Sequence, residues 1–192
     1  MRRISNECIS GHGNDGKKKF DHARTFSNAA YVLNRGVPDA PHNMQMDLVF
    51  PQSVCAALAL ELYFKTLYLL EKGVDFKNNK GKSSHDFHSL FGSLDKKTRD
   101  MVSFTFDKLI RQQDLSYVKN FENASSCSIP RDLVGNLLAW KDVFVKLRYI
   151  HDYSLKGLHT FFFPEIENSV LVPIFLMRPE WRAKTSTVWK KV

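Results

Sequence analysis

Arg148 and His151 stand three apart at the C-terminal end of a stretch with helical apolar periodicity, so on a helix their side chains are neighbours. A guanidinium beside an imidazole can stabilise a developing negative charge and move a proton. The same pair has a structural use, with Arg148 bound to a carboxylate such as Glu61 or Asp152 and His151 at the edge of a core. A second group is formed by His85-Asp86 and His151-Asp152, because a His-Asp step holds a divalent metal when further His and Asp side chains converge on it. His85 and His88 are spaced to share a metal, although a helix-start and a surface position account for them equally well. Gly81-Lys82-Ser83 has the ending of a phosphate-binding loop, but Phe76 stands where that loop needs glycine and a helix, not a strand, precedes it. Nucleoside triphosphate binding of that kind is therefore excluded.

The element that must position these groups is Val54–Gly73, whose only charged side chains are Glu61, Lys65, Glu71 and Lys72. It is apolar on nearly every side, which requires packing on several faces. Pro51 suits its first turn and Gly73 the residue past its last. Glu61 and Lys65 are four apart with the acid first, the favourable order for a helical ion pair. The helix is long enough to span a bilayer, yet those two charges would lie near its centre at about 3 kcal/mol each. We read it as the core helix of a soluble domain.

Other elements follow from pattern. Phe20, Ala23, Ala30, Tyr31 and Leu33 predict a first helix over 20–34, closed by Gly36 and Pro38. Ser83 with Asp86 reads as a capping box for a short helix bearing Phe87, Leu90, Phe91 and Leu94. Asp95 caps a helix over 96–113 with Val102, Phe106, Leu109 and Ile110 inward, and residues 114–128 are irregular. After Pro130, Leu133, Leu137, Trp140, Phe144, Leu147 and His151 recur at helical intervals, with Val134, Leu138, Val145 and Arg148 as the adjacent row. Pro164 and Pro173 leave the apolar stretch 158–177 open between a kinked helix and a strand. The pattern as a whole predicts an all-α bundle of four to five core helices.

Composition sets the class. With 192 residues, 43% hydrophobic and 25% charged, the chain can bury a core, and whole-chain disorder is excluded. Cys8, Cys55 and Cys127 are odd in number and lack C-x-x-C spacing, which predicts a reducing, cytoplasmic setting and neither a disulfide scaffold nor a zinc ribbon. The net charge of +8 is concentrated at the ends, where Arg2, Arg3, Lys17, Lys18 and Lys19 precede, and Arg178, Arg182, Lys184, Lys190 and Lys191 follow, a nearly neutral body. We therefore expect a disordered basic N-terminus over 1–19, a helical domain over 20–177 and a basic tail over 178–192, with the ends available to polyanions.

The stretches ALALELYFKTLYLLEKG, HDFHSLFGSL and WKDVFVKLRY together resemble the HEPN superfamily across roughly residues 20–160. That resemblance implies a small helical domain of prokaryotic type, commonly a dimeric endoribonuclease or a nucleotide-binding partner in stress, toxin or defence systems. Active members carry an Arg and a following His with four to six residues between them; here Arg148 and His151 have only Tyr149 and Ile150 between them, which implies degenerate catalysis. Arg35 and His42 meet the spacing but lie in a proline-containing loop. On this reading Arg148 and His151 are the catalytic pair, suited to stabilising a phosphorane and taking the 2′-hydroxyl proton. Glu61, Lys65, Tyr149 and His85 are the substrate-binding groups. The implied partners are a second copy of the chain, RNA or a nucleotide, and a cognate antitoxin-type protein, with no cofactor, metal or membrane. The alternatives are a metal-independent endoribonuclease and an HD-type metal-dependent phosphohydrolase.

Overall fold

A 28-residue helix, α2 (Gln45–Lys72), runs through the core of the computed structural model, which describes residues 7–39, 41, 44–77, 85–140 and 162–184, with backbone only at 7–14, 46 and 183–184. The other elements are α1 (Glu7–Gly36), α3 (Phe87–Gly92), α4 (Lys96–Arg111), α5 (Ser116–Ser125), α6 (Leu133–Ala139), α7 (Phe163–Met177) and a 3-10 turn at Pro179–Lys184. The fold is all-α, with no strand among the described residues.

α2 is covered as its composition requires. Ala56, Ala57, Ala59, Leu60, Tyr63, Phe64 and Leu67 are buried, and α1, α3 and α7 pack against it. Gly73 ends it at φ +69, donating its N–H to the Leu69 carbonyl, the left-handed closure expected of a glycine there. Pro51 lies inside the helix and not in its first turn, because six residues from Gln45 extend the helix backwards. The carbonyl that Pro51 leaves unbonded belongs to exposed Asp47, where water reaches it.

α1 lies antiparallel along α2: Phe20 meets Tyr63 at 5.8 Å between ring centroids, and Lys19 pairs with Asp75 at 2.9 Å, just beyond the end of α2. Its inner row, Gly16, Phe20, Ala23, Ser27 and Ala30, is mostly small, which lets the two backbones approach. The expected disorder of residues 1–19 is corrected from Glu7 onward, where the chain is helical despite three glycines. Gly16 packs beside Leu69, Leu70 and Trp181, and such tertiary contacts override weak helix propensity. Trp181 corrects the tail as well, since it is buried with its ring 5.1 Å from that of Phe20. The described part of 178–192 is thus docked on the core.

Three further expectations change. Residues 163–177 form a helix, with Pro164 in its first turn and Pro173 inside, which settles the choice against a strand. Residues 116–125, read as irregular, are helical because Asp114 accepts from the backbone N–H and hydroxyl of Ser116 while Val118 is buried. α3 is capped by Asp86 itself, which accepts from the N–H groups of His88 and Ser89 at 3.1 and 3.3 Å. The Ser83 half of the expected capping box lies outside the described residues. So does most of the last long helix: Leu133, Leu137 and Trp140 are buried as its inner row requires, Val134 and Leu138 are exposed, and residues 141–161 are not described.

One carboxyl sits inside this core. Glu167 of α7 is 1% exposed and hydrogen-bonds with Ser27 of α1 and Tyr63 of α2, while its Oε2 atom has no bonding partner among the described residues. Burial pushes its pKa up to about 7, and the Ser27 and Tyr63 bonds offset only part of that. Because the folded pKa is raised, the stability it confers is fully present below about pH 4.5 and is lost as pH climbs through about 7. Relative to Glu167→Gln, the wild-type protein should therefore lose on the order of 3 kcal/mol between those limits, read from urea unfolding at each pH. A wild-type-minus-variant difference that stays flat with pH would contradict it.

Candidate functional site

Midway along α2, the Glu61 side chain is 6% exposed, with Lys65 at one oxygen and His85 at the other. Lys65 Nζ donates to Oε1 at 2.5 Å, the ion pair expected from the four-residue spacing. His85 Nδ1 meets Oε2 at 2.7 Å from outside α2. The three groups grade outward, since Lys65 is 13% and His85 64% exposed. The site therefore runs from the core helix to the surface in a single chain of charge-assisted bonds.

Local structure explains how His85 gets there. Asp86 accepts the first free N–H groups of α3 and the Ser89 hydroxyl at 2.6 Å, while Phe87 is fully buried against Trp140 at 6.2 Å between rings. With Asp86 turned to the cap and Phe87 to the core, the residue before them is set over α2. A carboxylate on Nδ1 stabilises the tautomer with its proton on that atom, leaving Nε2 as the basic nitrogen. A buried acid orienting an imidazole is the relation found between the base and its orienting group in hydrolytic triads.

The structure thus unites three of the residues singled out from sequence, Glu61, Lys65 and His85. Arg148, Tyr149, His151 and Asp152 lie outside the described residues. The metal pattern is not assembled where it is described: Asp86 serves as a helix cap, His85 is turned to Glu61, His88 is exposed, and no three metal-ligating side chains converge among the described residues. The sequence did not show that His85 and Glu61 touch across 24 positions, nor that Glu167 joins Tyr63 and Ser27. The charged pair midway along an apolar stretch was the available signal for the first. A single acid in the apolar stretch IENSVLVPIFLM was the signal for the second.

Removing the charge of Glu61 while keeping its shape, as in Glu61→Gln, should cost on the order of 2 to 3 kcal/mol, because the bonds from Lys65 and His85 lose their ionised acceptor. His85→Ala should cost less than about 1 kcal/mol, since that ring is mostly solvated. Urea unfolding of both variants measures the difference, and equal small losses would show that Glu61 and Lys65 are well hydrated. No family model, curated protein or solved structure matches the chain.

Proposed function

We propose that the chain is a HEPN-like helical module that engages RNA or a nucleotide in a prokaryotic stress, toxin or defence system, with Glu61, Lys65 and His85 in its site. The observation that carries this reading is the buried carboxylate held between a lysine and an imidazole. An ion pair inside an apolar helix is a poor way to gain stability, since apolar side chains of similar volume do as well or better. A network of that kind that reaches an exposed histidine is better explained by an anionic ligand. The net charge of +8 supports attraction of a polyanion.

A second reading, metal-independent endoribonuclease activity, is favoured by the orientation of His85. An imidazole fixed by a carboxylate can take a 2′-hydroxyl proton, and a nearby cation can stabilise the phosphorane, roles the resemblance gives to His151 and Arg148. Association follows the same reading. The exposed apolar side chains Val172, Leu176 and Met177 of α7 suit burial against a second copy or an antitoxin-type protein.

Fluorescence anisotropy with labelled single-stranded RNA tests the primary reading. His85→Ala and Lys65→Met should each weaken binding about ten-fold or more while helicity is kept. Unchanged affinity in both would exclude this site. Cleavage of the same RNA in EDTA, lost in His85→Ala or His151→Ala, would establish the enzymatic reading; its absence in the wild type restricts the module to binding. A dimeric mass by light scattering is expected, and a monomer at micromolar concentration would remove the association.

A further inference from the structure

The outer face of α4 places an aromatic ring among cations. Thr98, Val102, Phe106 and Ile110 form the buried row of this helix. On the opposite side Lys97, Phe104, Lys108 and Arg111 share one face, because positions separated by four and seven residues are stacked along a helix. Phe104 is 72% exposed, more than any other large apolar side chain described. With Asp107, Lys108, Arg111 and Gln112 it lines a concavity of about 240 Å³. That is below the roughly 300 Å³ at which pockets for whole small molecules begin, a size that suits one planar group.

The cations here are available. Neighbouring charges on α4 are engaged, Lys96 with Asp100 at 2.6 Å and Arg99 with the Gly92 carbonyl at 3.0 Å. Lys97, Lys108 and Arg111 form no ion pair among the described residues. Lys108 and Arg111 complement the negative end of the helix dipole, but that does not call for an exposed phenylalanine between them and Lys97. Along the axis Lys108 is about 6 Å and Arg111 about 10 Å from Phe104. A solvated π-face with cations at such intervals has the character of a single-strand stacking platform, in which the ring takes a base and the cations take flanking phosphates.

We propose that this face of α4 is a base-stacking subsite for single-stranded RNA, with Phe104 as the platform and Lys108 and Arg111 as the phosphate contacts. The inference rests on the RNA reading above and places a contact on a different helix from Glu61 and His85. The full-length protein is titrated with fluorescein-labelled oligouridylate over a range of salt concentrations. Phe104→Ala should weaken binding at least about five-fold with helicity unchanged, and Phe104→Trp should retain it, because a larger ring still stacks. Lys108→Ala with Arg111→Ala should reduce the salt slope by about 1.4, the value for two lost phosphate contacts on a single strand. Wild-type affinity in Phe104→Ala, together with loss in His85→Ala, would overturn the subsite and leave the RNA reading standing. No binding by the wild type overturns both. A Phe104→Ala protein that binds RNA normally but has a lower mass by light scattering would assign the face to self-association and overturn the subsite.

Discussion

Everything in this fold answers to one constraint, that α2 is apolar nearly all round and cannot be left against water on any long side. Burying a helix of this kind takes several partners, and α1, α3 and α7 are those partners. Small residues on α1 let it lie close along α2, and the aromatic rings of Phe20, Tyr63, Phe175 and Trp181 fill the space where α1, α2, α7 and the 3-10 turn meet. Aromatic side chains supply large apolar area per residue, so a few well-placed rings hold several elements together.

Against that apolar background two acids stand out, and their surroundings give them different characters. Glu61 is matched by Lys65 and His85, so its charge is compensated and leads outward to solvent. Among the described residues Glu167 hydrogen-bonds with neutral groups, Ser27 and Tyr63, and burial raises its pKa to about 7. The first arrangement is suited to meeting an anionic ligand at the surface. The second ties three helices together through a proton whose affinity the core controls.

Connections outside α2 are held by side chains reaching over short loops. Glu122 accepts the Ile129 N–H and pairs with Arg131, both at 2.7 Å, which folds residues 126–131 back onto α5 and leads into α6. At the start of α6, Asp132 accepts from Gly135 N at 2.8 Å, and a Cβ on Gly135 would lie 2.6 Å from Pro130. Only glycine fits beside that cap. Lys72 and Glu71 reach across to Asp95, joining the end of α2 to the start of α4. These contacts set where the shorter helices sit around the central one.

Periodicity and end signals alone determined the all-α class, the identity of the central helix, its Gly73 terminus, the Glu61–Lys65 pair and the buried rows of α4 and α6. Each depends on interactions within about one turn of chain, which sequence spacing encodes directly. The early start of α1, the helicity of residues 116–125, the choice of helix at 163–177 and the docking of Trp181 were decided by tertiary structure. Local propensity there is weak or interrupted, and burial against distant residues outweighs it. The site divides the same way. Glu61 and Lys65 were legible as neighbours on one helix, whereas the arrival of His85 from 24 positions away, and the junction of Glu167 with Ser27 and Tyr63, exist only once packing has brought separate helices together.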